Sequence, residues 1–220
     1  DQEAIVARSG RITDLRAPAE DGYHPGKHLG DQTHYGDQTL ILLESLEACG
    51  GNFVMDDFAR RWRAFWKNSK AYRDHATKDT LAHLDEGLGL TRAGSDSGEL
   101  GGAARIAPLL AALRNEDPPT IIAAARAQTA LTHATHAVID AAEFIARLVF
   151  LLMRGVTISS ALRMAVALPY RALSVEDYLR EAEEVNELPT GKAIEALGLS
   201  CPLEKALPSV FALLLRHGDN

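Results

Sequence analysis

From about residue 39 onward, apolar side chains return every three or four positions, the spacing of one face of an α-helix. The clearest stretch is 136–154, where Val138, Ala141, Ala142, Ile145, Leu148, Val149 and Leu152 form a stripe that Gly155 ends. A helix over about 39–49 stops at Gly50 and Gly51. Another starts at Asp56, whose carboxylate is placed to cap it, and carries Phe58, Trp62, Phe65 and Trp66 on one side. The pattern predicts further helices near 77–87, 101–115, 119–130, 159–168, 174–185, 191–197 and 203–216. Pro118 and Pro119 suit a helix start, where a missing backbone donor costs nothing. No segment alternates long enough to be a strand. The expectation is an all-α fold of helices joined by short turns.

Two stretches break the periodicity. Residues 10–36 are polar and rich in Gly, His and Asp, with Pro18 and Pro25. Residues 88–101 are nearly all loop formers. Long irregular segments in a helical protein tend to be functional, so the site is expected between these two loops.

Composition narrows the classes. A chain of 220 residues is long enough for one substantial core. With 23 Lys+Arg against 30 Asp+Glu, its net charge of −7 argues against a nucleic-acid partner, which calls for a basic face. Cys49 and Cys201 are too few and too far apart for a disulfide framework or a thiolate zinc site. The longest apolar candidate, 144–153, is interrupted by Arg147, and no signal-peptide pattern is present. These features predict a cytoplasmic protein with no membrane partner.

The most unusual local feature is a direct repeat, Gly30-Asp31-Gln32-Thr33 and Gly36-Asp37-Gln38-Thr39. Asp31 and Asp37, with Thr39 assisting, offer hard oxygens to a cation such as Mg²⁺. The competing reading is helix capping, which favours the same residue types. His24 and His28 lie in a Gly/Pro loop and do not share a helix face. His133, after Thr132 at a turn, is a candidate substrate contact or a hydrogen-bonding group at the edge of the core. Arg60, Arg61, Arg63, Lys67 and Lys70 interleave with Trp62 and Trp66, a pattern that suits phosphate contact with base stacking. The aromatic residues share one helical face, however, so an amphipathic surface helix is preferred. The segment Gly94-Ser95-Asp96-Ser97-Gly98 leads to Gly101-Gly102 before a helix, an arrangement that lets backbone donors approach an anion. Asp96 and Glu99 oppose an anion there.

Taken in order, these segments resemble the ADP-ribosylglycohydrolase superfamily, which includes J1-type crystallins and dinitrogenase-reductase-activating glycohydrolases. Tyr35-Gly36-Asp37-Gln38-Thr39 and the helix after it are similar to the family's Thr/Ser-Asp-Asp-Thr metal motif. Phe58 to Trp62 resembles the next helix. Gly101 to Pro108 resembles the Gly-Asn-Gly-x-x-Met-Arg-x-x-Pro segment that approaches ADP-ribose. Leu131-Thr132-His133 resembles the Thr-His stretch, and Ala206-Leu207-Pro208 the opening of a late helix.

The resemblance implies one compact orthogonal bundle of many helices, a pair of Mg²⁺ ions, and hydrolysis of a glycosidic bond between ADP-ribose and an acceptor. It implies metal ligation by Asp37 and Thr39, with Asp31 as a substitute ligand, and substrate contacts from Ser97, Gly98, Gly101, Gly102 and His133. An ADP-ribose-type ligand or an ADP-ribosylated substrate is the implied partner. Departures are plain. Gly36 replaces the hydroxyl ligand, Gln38 the second Asp, Leu100 the Asn and Ala104 the Met. The family's early Gly-Asp-Ala-Leu-Gly-like segment and late Gly-Gly-Asp-x-Asp motif do not occur within residues 1–220, and Glu3 is a poor substitute for the acid that follows the first. The expectation is a single domain lacking both terminal segments and with no assigned catalytic residue. It is either a hydrolase with a degenerate metal motif or a non-catalytic ligand-binding or structural member of the same fold.

Overall fold

The helix with the clearest apolar stripe, α8 (His136–Leu152), lies between two hydrophobic clusters and contributes to both. Ala146 belongs to the first cluster, while Val138, Ala141, Phe144 and Leu148 belong to the second. A helix between two cores must be apolar around most of its circumference. That is why Phe144 and Ala146 are buried as well as Val138, Ala141, Ala142 and Leu148 of the predicted stripe.

The structure is a computed structural model and describes residues 2–218. Among these, twelve helices follow in chain order. The first cluster is built by α2 (His34–Ala48), α3 (Met55–Asn68), α6 (Ala107–Ala112) and α7 (Pro118–Ala130), with α4 (His75–Asp85) at its side. The second is built by α9 (Ile158–Val166), α10 (Val175–Glu184), α11 (Thr190–Leu197) and α12 (Leu203–His217). A four-residue helix, α5 (Gly101–Ala104), packs against α7 and α8, and α1 (Gln2–Ser9) opens the chain. The fold is an all-α, multi-helix bundle. Its only strand-like features among the described residues are two isolated bridges, Ser95 to His133 and Glu99 to Pro202. No described helix is long and apolar enough to cross a membrane.

Three boundaries differ from the sequence reading, each for a local reason. Helix α2 starts at His34, so Asp37 and Thr39 lie inside it and do not cap it. Helix α3 starts at Met55 after Val54, which puts Asp56 in the first turn beside the positive end of the helix rather than at the cap. The stretch 101–115 is two helices, because Pro108 has no N–H to continue the ladder from Ala104. The late helix opens at Leu203, as the periodicity predicts, and Pro208 lies buried inside it.

The buried charge of α8 is also accounted for. Asp140 accepts hydrogen bonds from Arg126 (2.8 Å) and from the backbone N–H of Ala172 (2.7 Å). It therefore ties α7 to the segment after α9 at the level of Phe144. Phe144 packs against Phe211 at 5.1 Å and Tyr170 at 6.0 Å between ring centroids. Phe144→Ala is expected to cost about 3–5 kcal/mol in urea unfolding, since the cavity adds to the lost transfer energy. A loss below about 1 kcal/mol would show that this cluster does not hold the bundle together.

Candidate functional site

Arg105 follows α5 where the helical run breaks, and the break turns its side chain into the protein. The guanidinium is fully buried and is met by neutral acceptors. Its Nη1 donates to Gln38 Oε1 (2.7 Å) and its Nε to Gln128 Oε1 (3.0 Å). Its Nη2 donates to the Gln128 carbonyl (3.0 Å) and to Thr132 Oγ1 (2.7 Å). Gln38 Oε1 also accepts from Trp62 Nε1 at 2.9 Å. Burial lowers the Arg105 pKa to about 10, with Asp74 acting in the opposite direction. These bonds fix α2, α3, α5 and α7 around one cation.

The same network positions His133. Arg105 has only donors, so Thr132 Oγ1 accepts from it, and the same oxygen is hydrogen-bonded to His133 Nδ1 at 2.9 Å. His133 Nε2 is buried with no hydrogen-bond partner among the described residues. Burial first, and the Arg105 charge second, lower the His133 pKa to about 4. Gly102 and Gly101 lie directly against this ring. A Cβ at Gly102 would fall 2.8 Å from His133 Nδ1, and one at Gly101 2.9 Å from Tyr35 Cε1 and 3.4 Å from His133 Nε2. Both glycines are buried and admit the two rings onto the backbone.

Ser97 and Gly98 lie in the loop above. Ser95 N–H donates to the Thr132 carbonyl (3.0 Å) and Ala134 N–H to the Ser95 carbonyl (2.7 Å), which fastens this loop beside His133. Ser97 N–H donates to Ser95 Oγ at 3.2 Å, and Thr135 Oγ1 donates to the Ser97 carbonyl at 3.1 Å. Gly98 is exposed, with open space where a Cβ would stand. Ser97, Gly98, Gly101, Gly102 and His133 therefore occupy one neighbourhood, roofed by Tyr35 from α2.

Residues of the repeat are arranged differently. Asp37 Oδ2 accepts from Lys27 Nζ at 3.0 Å, with both side chains mostly buried. Thr39 Oγ1 donates to the Tyr35 carbonyl one turn back at 2.9 Å. Asp31 Oδ2 accepts from the backbone of His28 at 2.7 Å in an exposed turn. With Gln38 held by Arg105 and Trp62, and Gly36 without a side chain, this set does not fit a pair of Mg²⁺ ions as arranged. Its acidic member already faces an ammonium.

Carboxylates to which the sequence reading gave no ligand or catalytic role gather nearby. Asp74 is buried, caps α4 through the Thr77 N–H (2.7 Å), and has its Oδ2 3.6 Å from His34 Nε2. Its charge acts on Arg105, His133 and Tyr35. Glu99 is half-buried, and desolvation, then Asp74, raise its pKa. His75, Asp79 and Asp96 bring a nitrogen and two carboxylate oxygens within 4.8 Å of one another, a group able to hold a metal ion. His75 and Asp79 are four residues apart on α4, a spacing visible in the sequence, whereas Asp96 arrives from a loop that only the fold brings near. The interleaved tryptophans are not stacking platforms: Trp62 and Trp66 are buried in the first cluster.

Fold and motif order together define an all-α, multi-helix bundle. The family model for ADP-ribosylglycohydrolase matches residues 1–220, and the chain belongs to that family. A solved structure described as an ADP-ribosylglycohydrolase-related protein complex superposes with a TM-score of 0.66 at 22% identity, covering 86% of this chain. The chain spans 61% of that relative's length, and at this identity the likeness shows the fold. No curated protein sequence matches.

The buried neutral imidazole sets a pH dependence. Between its unfolded value of about 6.5 and about 4, the unfolded chain takes up a proton at His133 that the folded chain refuses. Stability is fully present above pH 6.5 and falls on acidification through that window, by about 3 kcal/mol for this group. His34, also lowered chiefly by burial, acts in the same direction. Urea unfolding of wild type and His133→Gln at several pH values checks this. The variant should lose less stability between pH 6.5 and 4, and parallel curves would refute it.

Proposed function

We propose that the chain is a ligand-binding member of its family, recognising an ADP-ribose-type group at the surface of residues 95–102 without the paired Mg²⁺ ions of a hydrolytic centre. The engagement of residues 36–39 carries this reading. Asp37 faces Lys27, and Gln38 faces Arg105 and Trp62. A two-metal centre works by clamping reacting oxygens between cations held on free carboxylates, and an ammonium on the acidic member opposes that. Exposed Gly98 is the surface contact in this reading, with buried Ser97 directly before it in the loop. His133 Nε2 is the buried nitrogen that a ribose hydroxyl would satisfy, with Gly101 and Gly102 seating the ring.

A second reading, hydrolysis of a glycosidic bond to ADP-ribose, is favoured by Glu99. A half-buried carboxyl with a raised pKa is suited to protonate a leaving group. Metal ligation by Asp37, Thr39 and Asp31 belongs to this second reading and requires Lys27 to leave Asp37.

Calorimetric titration with ADP-ribose, with and without Mg²⁺, tests the first reading. Binding should saturate, be indifferent to Mg²⁺, and weaken at least about tenfold in Gly98→Val, a loss of about 1.4 kcal/mol. The open space at Gly98 makes that variant a probe of ligand approach rather than of folding. Mg²⁺-dependent binding, or undiminished binding by Gly98→Val, would refute it. For the second reading, release of ADP-ribose from an ADP-ribosylated peptide should be lost in Glu99→Gln with binding retained. Absence of turnover by the wild-type chain removes that reading.

A further inference from the structure

We infer that His75, Asp79 and Asp96 form a binding site for one borderline divalent cation, of the Mn²⁺ or Zn²⁺ kind, separate from residues 36–39. His75 and Asp79 stand one turn apart at the start of α4, with His75 Nε2 3.1 Å from Asp79 Oδ2. Asp96 completes the group, and all three ligand atoms lie within 4.8 Å of one another. Metal–ligand distances near 2.0–2.2 Å require donors about 3–3.5 Å apart, so only a small inward movement is needed. His75 and Asp96 are exposed and free to make it.

The surroundings favour a cation. Among the described residues neither Asp79 nor Asp96 is paired with a lysine or arginine, in contrast to Asp37, Asp57 and Asp140. Asp79 Oδ2 also accepts from Ser95 Oγ at 2.7 Å, and Ser95 is buried and fastened through its backbone to Thr132 and Ala134. The hydroxyl orients the carboxylate as outer-shell partners of metal ligands do. Buried neighbours Ser95 and Ser97 flank Asp96 and leave its side chain to the solvent face where His75 and Asp79 lie. One imidazole with two carboxylates suits Mn²⁺ or Zn²⁺ better than Mg²⁺, which prefers oxygen and retains its water. Three protein ligands leave coordination positions open beside Gly98. The inference does not depend on ADP-ribose recognition and is tested with the metal alone.

Chelator-stripped protein is titrated with Mn²⁺, following free Mn²⁺ by its paramagnetic resonance signal, and with Zn²⁺ by calorimetry. One saturable site per chain is expected. Asp96→Asn and His75→Ala, each checked for native helicity by circular dichroism, should weaken binding at least about tenfold, and Ser95→Ala about tenfold through the oriented carboxylate. Asp37→Asn should leave binding unchanged. Absence of saturable binding, equal affinity in Asp96→Asn and His75→Ala, or loss confined to Asp37→Asn would overturn the assignment. Loss of ADP-ribose binding alone, with the metal titration intact, would refute the functional reading and leave this site standing.

Discussion

A guanidinium taken wholly out of water sets the terms for this fold. Among the described residues Arg105 meets no carboxylate directly; its charge is balanced by oriented amide and hydroxyl oxygens and by the field of Asp74. Burying a charge is costly unless its hydrogen bonds are completed, so each acceptor becomes obligatory. Gln38 belongs to α2, Gln128 to α7 and Thr132 to the turn before α8. Satisfying one cation therefore fixes the relative positions of three helices. The ring of Phe58, 5.5 Å from the guanidinium carbon, closes its remaining face from α3.

The same arrangement explains why the metal motif departs from the family pattern without unmaking the bundle. A glutamine at position 38 is one methylene longer than the aspartate of the motif it resembles, and its neutral oxygen accepts from both Arg105 and Trp62. Loss of the second acid removes a charge and keeps the framework. Lys27 supplies Asp37 with a positive partner from within the chain.

The bundle itself was legible in the sequence because helical periodicity is a local signal, and the stripe over 136–154 marked the central helix correctly. Boundaries were lost where a tertiary contact overrode the local pattern. His34 and Tyr35 extend α2 backward because His34 is buried against Asp74, stacks on His24 and meets Tyr72 edge-on. Pro108 split a helix whose apolar spacing ran on unbroken. At the site, the nearness of Gly101, Gly102 and His133 followed from motif order. The His75, Asp79 and Asp96 group did not, because its third member comes from a loop and no sequence spacing encodes a contact across the fold. Asp74 was equally hidden: as a residue before a helix it reads as a cap, and only burial beside His34 gives it reach over the whole site.

The bridge between Ser95 and His133 gives the loop carrying Asp96 an unusual mechanical standing. Ser95 is bonded on one side to Asp79 and on the other to Thr132 and Ala134, so the loop is clamped between α4 and the turn before α8. Segments of this composition ordinarily open by local fluctuation, at little free-energy cost. Here the amide of Ser95 is held by the carbonyl of Thr132, whose hydroxyl accepts from Arg105, so the loop and that network meet in one residue. The surface that meets solvent at Asp96 thus stands on a loop fastened on both sides to the framework of the bundle.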